Sequence, residues 1–212
     1  MKILEISYGK FPDISFLNPN FKPRSTKIRV VLDVFPPRKR KAQLDSVYSQ
    51  IHKLLPTLSK HRCCLGLSYG TLNQEQEGDI SLKSMEDATD IAHMMEHMII
   101  DLQANICSMD TCSGITCGYR EPDFRFDLFV ECKDRSVARF CSHLTLTVIK
   151  SAIAGKKLFP RYQRLISLAK YLYQYPQRVE DYETISKDLS LSVRSMKSLF
   201  QELVSLKYFS KG

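Results

Sequence analysis

The chain has 212 residues and a mass of 24.5 kDa, with 43% apolar and 10% aromatic residues, which supplies a core and excludes a disordered chain. Its net charge of +8 conceals a basic–acidic–basic order: +9 over residues 1–62, −7 over 63–155 and +6 over 156–212. No apolar run approaches the roughly 20 residues that span a bilayer, the start MKILEISYGKFPD lacks a signal-peptide core, and the seven cysteines are odd in number and scattered, so the expectation is a cytoplasmic protein with reduced thiols and no membrane attachment.

Met1–Tyr8 and Lys27–Val34 are short runs rich in β-branched residues and read as strands, joined by a loop with prolines at 12, 19 and 23. The basic stretch Pro36 to Lys41 reads as a solvated turn, with contact to phosphate or a localisation receptor as its alternative. Gln43 to Leu58 has helical spacing, with Leu44, Val47, Ile51, Leu54 and Leu55 on one face. Residues 63–83 carry glycines 66, 70 and 78 and read as a loop or short hairpin.

The clearest helix runs from Met85 to Ala104, with Ser84 as N-cap and Glu86, Asp87 and Asp90 favourably placed in its first turns. Ile91, Met94, Met95, Met98 and Leu102 form an apolar stripe; Asp90, His93, Glu96, His97 and Asp101 form a polar one. Cys107–Arg120 reads as irregular, Phe126–Cys132 as a strand, and Ser136–Ala154 as a helix stopped by Gly155. Three further helical stretches follow, at about 161–175, 181–189 and 193–207.

His93-Met-Met-Glu96-His97 is an H-x-x-E-H string whose spacings of three and four bring its polar side chains to one side of the helix. Two neutral imidazoles one turn apart can ligate one zinc ion, and a carboxylate between them can take a proton from metal-bound water. The order is that of the inverzincins; the alternative is a solvated polar face. A catalytic zinc takes a third protein ligand, for which Glu131 leads and Asp134, Cys132 and Cys117 are rivals; an ordinary strand-end salt bridge is the alternative role for Glu131. Cys107, Cys112 and Cys117 are spaced by five, unlike paired zinc-knuckle cysteines. His61 and His143 are expected to be structural.

Several stretches together resemble the opening of the cyanophycin synthetases: MKIL, LLPTL-x-x-H (Leu54 to His61) before Cys63, Glu77-Gly78, AHMMEHMIIDLQ (Ala92 to Gln103), G-x-T-x-G-x-R (Gly114 to Arg120) and FDLFVECKD. The similarity continues through Phe159-Pro160-Arg161 and Glu183-Thr184-Ile185 to Leu206-Lys207-Tyr208. Those enzymes polymerise aspartate and arginine with an ATP-grasp and a Mur-ligase-like module, and no phosphate-loop string of that kind is present here. The resemblance therefore implies their N-terminal domain alone, which holds the polymer and in some members is a zinc peptidase that nicks it.

It implies an α+β fold: a small mixed sheet with helices packed on one face, as a domain over 1–155, followed by a basic helical tail over 156–212. It implies His93 and His97 as zinc ligands and Glu96 as general base. The stretch from Gly78 to His93 is roughly ten residues longer than the family's, Arg135 stands where members often have an acid, and the tail lacks the LGYG ending.

Three functions follow as expectations. The first is a zinc-dependent hydrolase of a cyanophycin-like Asp/Arg polymer or other arginine-rich substrate, whose guanidinium groups suit the acidic middle segment. The second is a non-catalytic module that binds the polymer or a partner enzyme. The third is a DNA-binding regulator using the helix-turn-helix-like stretch Asp181–Tyr208, with Arg194 and Lys197 on the exposed face of its second helix.

Overall fold

Alternation of side chains along β-branched strands sets one face of a sheet against helices. In a computed structural model, residues 1–14, 16–17, 20–22, 24–35, 41–61 and 88–209 are described, without the side chains of 41–44. The basic run at 36–40, the glycine-bearing stretch 63–83, and Ser84, Met85, Glu86 and Asp87 lie outside the described residues.

Four strands, β1 (Lys2–Gly9), β2 (Lys27–Asp33), β3 (Gly114–Gly118) and β4 (Arg125–Glu131), form one sheet in the order β1-β2-β4-β3. The α+β class holds, while every ladder is antiparallel rather than mixed. The reason is local: each described pairing is between strands running in opposite senses, with no parallel crossover for a helix to make. Strand β3 occupies a stretch expected to be irregular. Its sequence GITCG holds two glycines and only five residues, so the tertiary pairing with β4 defines it rather than propensity.

Period-two alternation places Ile28, Val30 and Leu32 of β2 and Phe126, Leu128 and Val130 of β4 on one face, all nearly inaccessible. Helices α2 (Ala88–Cys107) and α3 (Arg135–Ile153) cover it, α2 over β3 and β4 and α3 over β1 and β2. Helix α1 (Lys41–Leu54) and a 3-10 turn, Pro56–Lys60, pack outside them. The other face carries Arg29, Asp127, Phe129 and Glu131. Part of the segment 10–25 covers it, with Phe11 edge-on to Phe129 at 5.2 Å.

Helix α3 starts where Asp134 accepts a hydrogen bond from the Val137 amide at 2.8 Å. It ends at Gly155, whose φ of +72° is open to a residue without Cβ. Beyond it come α4 (Arg161–Gln174), α5 (Tyr182–Asp188) and α6 (Val193–Ser205), close to the three stretches read from the sequence. The apolar core runs without interruption from the sheet into these helices. Tyr208 lies edge-on to Phe140 of α3, and its hydroxyl donates to the Ala169 carbonyl at 3.0 Å. No helix among the described residues is long and apolar enough to cross a membrane.

Candidate functional site

Helix α2 is enclosed on both of its stripes. The apolar one is buried as expected, and on the polar one Glu96, His97 and Asp101 are only 3–4% exposed. The solvated face expected as the alternative is therefore absent at these three residues. Buried polar groups need partners, and two different elements supply them.

His93, His97 and Asp101 follow one another at intervals of four along a single ridge of α2. Facing them is the 3-10 turn, whose Thr57 hydroxyl donates to Asp101 Oδ1 at 2.6 Å. His61, just past the turn, places Nε2 3.1 Å from the same oxygen and Nδ1 3.2 Å from His97 Nδ1. His97 Nε2 then lies 3.0 Å from His93 Nε2. The result is a row of three imidazoles ending on a carboxylate.

Chemistry assigns the protons along that row. A carboxylate oxygen accepts, so His61 Nε2–H donates to Asp101. Where His61 Nδ1 accepts, His97 is the donor there and its Nε2 keeps a lone pair directed at His93. Burial pushes the pKa of His97 down to about 3, with repulsion from His93 and His61 adding to it. Burial lowers that of His93 too, against the pull of Asp90. Both rings are thus neutral near pH 7, the form in which imidazole ligates metal.

His52 of α1 stacks on Tyr48 at 4.2 Å and lies close enough to Asp101 to feel its charge. Four of the five histidines, all but His143, therefore lie on or beside the row that runs from His93 to Asp101. Asp101 Oδ2 and His52 Nε2 are buried and without a hydrogen-bond partner among the described residues.

Glu96 turns the other way, toward β3. Its Oε2 accepts from the Thr116 hydroxyl at 2.6 Å. Burial raises its pKa to about 7, partly offset by that hydrogen bond. A carboxyl that titrates near neutrality is suited to proton transfer. Gly114 makes the approach possible, since a Cβ there would lie 2.7 Å from Glu96 Oε1.

The structure does not bring Glu131 to the imidazoles, which corrects the expected third ligand. Strand alternation sends its side chain to the face away from α2. There Oε1 accepts from the Lys22 amide and the Ser25 hydroxyl, each at 2.8 Å. Lys27, its register partner on β2, is fully buried and donates to the Lys10 and Lys22 carbonyls at 3.2 Å. Glu131 and Lys27 thus tie Lys10, Lys22 and Ser25 to the sheet.

The rival ligands are elsewhere as well. Asp134 caps α3, Cys117 shares its face with Asp127, and burial pushes the Cys117 and Cys132 thiols up to about 11. Arg135 lies over the Tyr8 ring at 5.5 Å on β1, the sheet edge opposite β3. An acid at position 135 would therefore not face the histidines. Arg120 is exposed just beyond β3, and Arg194 and Lys197 are exposed on α6, apart from the α2 site.

His61, Thr57 and His52 join the site although they were not expected there. The T-x3-H spacing of Thr57 and His61, beside the H-x3-H-x3-D ladder of α2, was the available signal.

The family model described as the cyanophycin synthase-like N-terminal domain matches residues 27–154. The chain belongs to this family. The matched stretch runs from the start of β2 to the end of α3, so it contains the whole histidine row, Glu96 and Asp101 of this synthase-like domain. No curated protein matches the chain.

Proposed function

We propose that this cyanophycin synthase-like domain is a zinc-dependent hydrolase of an Asp/Arg peptide polymer, with His93 and His97 as the metal-binding pair and Glu96 as general base. The observation that carries the reading is the Asp101–His61–His97–His93 row, whose spacings suit His97 as its Nδ1–H tautomer with the Nε2 lone pair toward His93 Nε2. A carboxylate acting through the far ring nitrogen is how metal-ligating histidines are commonly oriented. Two nitrogens at bonding distance from one tetrahedral zinc stand about 3.3 Å apart, close to the 3.0 Å separation here.

Bound there, zinc would polarise a peptide carbonyl and acidify a water molecule. The chain's own contributions are distinct from that. Thr57 and His61 fix Asp101, Asp101 fixes the tautomer of His61, and His61 fixes that of His97. Glu96, with a pKa near 7, is the group that would take a proton from the attacking water and return it to the leaving amine.

A second reading, a polymer-binding module without chemistry, is favoured by one specific observation: Glu96 is buried and turned toward β3, away from the imidazole row. Elemental analysis and polymer cleavage separate the two readings. Stoichiometric zinc that is lost in His93→Ala/His97→Ala, with cleavage abolished in Glu96→Gln, supports the hydrolase. Polymer retention by a zinc-free protein that cleaves nothing leaves the binding module.

A further inference from the structure

The helices beyond Gly155 play no part in the imidazole site. Helices α5 and α6 are joined by only four residues, Leu189–Ser192. The turn is built by specific means. Ser190 takes a left-handed φ of +53°, the Leu191 amide donates to the Ser186 carbonyl at 2.8 Å, and the Ser186 hydroxyl donates back to the Leu191 carbonyl. Ser192 then caps α6 by accepting from the Ser195 amide at 3.2 Å.

Helix α6 buries Met196, Leu199, Phe200 and Leu203, packing on α4 and α5. Its outer face presents Val193, Arg194, Lys197, Ser198, Gln201 and Val204. Two valines on that face are 40% and 56% exposed, which core packing does not explain.

The charge of this unit is also one-sided. Residues 156–212 carry +6, and several of the few acids are engaged within the fold. Glu202 pairs with Arg161 at 3.0 Å, Asp188 with Arg178 at 3.0 Å, and Asp181 caps α5. Arg194 and Lys197 form no ion pair with any described residue. Glu180, Asp181 and Glu183 border Val193 and Lys197 and repel phosphate locally, so the affinity expected is modest and salt-sensitive rather than tight.

We propose that this unit binds duplex DNA, with α6 lying in the major groove. In a helix-turn-helix the N-terminal residues of the second helix meet base edges, here Arg194, Lys197 and Gln201. Arginine recognises guanine, glutamine recognises adenine, and an exposed valine packs on a thymine methyl. A basic surface selects a polyanion, and B-form DNA is preferred because the major groove of duplex RNA is too deep and narrow to admit a helix.

The test is fluorescence anisotropy of the full chain with a labelled mixed-sequence DNA duplex, in buffer without zinc or polymer, so the outcome is independent of the hydrolase reading. Binding at 50 mM salt should weaken at least tenfold by 200 mM. Arg194→Ala/Lys197→Ala should lower affinity at least fivefold and reduce the slope of log K against log salt by about 1–2. Lys156→Ala/Lys157→Ala removes the same charge away from α6 and should do much less. Both pairs are exposed, so thermal unfolding should stay at the parent temperature. The proposal is overturned by absence of binding at 50 mM salt, by equal losses in the two double variants, or by equal affinity for duplex RNA.

Discussion

Substituting Gly114 by alanine tests whether Glu96 is seated against β3. A Cβ at Gly114 would meet Glu96 Oε1 at 2.7 Å, Glu96 Cγ at 3.0 Å and Ile100 Cδ1 at 3.0 Å. Ile100 can yield by rotating its terminal methyl. Glu96 cannot yield as easily, because Thr116 holds its other oxygen at 2.6 Å and the residue is buried. Overpacking of this kind costs about 1–3 kcal/mol, and the stiffer unfolded chain returns about 0.4–1 kcal/mol. The net expectation is a loss of about 1–2 kcal/mol, or roughly 2–8 °C in melting temperature for a chain of this size. The decisive measurement is a double-mutant cycle by urea unfolding. On a Glu96→Ala background the added methyl meets only the yielding end of Ile100, so Gly114→Ala should there cost less than about 0.5 kcal/mol. Equal costs on the two backgrounds would refute the placement of Glu96, as would a neutral Gly114→Ala.

A buried carboxyl with a raised pKa also makes stability depend on pH. Between the unfolded value of 4.5 and the folded value of about 7, the folded state holds a proton that the unfolded state has released, so this contribution falls as pH rises through that window. In metal-free protein, Glu96→Gln should gain on the parent by about 2 kcal/mol between pH 5 and pH 8; a difference independent of pH would contradict the burial argument. Asp101→Ala removes the acceptor at the end of the imidazole row, and 15N NMR should then show His97 losing a single Nδ1–H tautomer. An unchanged His97 spectrum would dissociate Asp101 from that role. Lys27→Met strips donors from the Lys10 and Lys22 carbonyls and leaves Glu131 without its buried counter-charge, at a cost of about 3 kcal/mol in chemical unfolding. Glu131→Gln should weaken stability without altering zinc stoichiometry, and loss of zinc in that variant would restore Glu131 as a ligand.

The elements most legible in the sequence were those whose periodicity is local. The alternation KIRVVLDV and FDLFVEC gave β2 and β4, and the 3.6-residue spacing of Val137, Phe140, Leu144 and Val148 gave α3. Strand β3 was not legible, because a five-residue edge strand with two glycines is specified by its partner's register. The site divides along the same line. His93 and His97 share a ridge of α2 that spacing alone reveals, whereas the turn of Glu96 toward β3 is set by the packing of α2 on the sheet. His61 and Thr57 reach that ridge only through the docking of the 3-10 turn, which periodicity within α2 does not encode. Glu131 was misread for a related reason: its position at a strand end was correct, but the face it occupies depends on which side of the sheet the helices cover.

The charge distribution changes meaning once the acids are located. The −7 of residues 63–155 suggests an acidic surface for arginine side chains, yet charge counted along a sequence takes no account of burial. Of the acids described in this segment, Glu96, Asp101, Asp127 and Glu131 are buried and Asp134 is spent on capping α3. Asp90, in the first turn of α2, is half-buried, and Asp110, Glu121 and Asp123 are exposed away from α2. The remaining acids, Glu75, Glu77, Asp79, Glu86 and Asp87, fall outside the described residues. Much of the acidity near the histidines is therefore internal, where Asp101 partners His61 and burial raises the pKa of Glu96. Attraction of a cationic polymer to this segment would therefore draw on Asp90, on the three exposed acids and on the five acids between 75 and 87, which precede α2 in the chain.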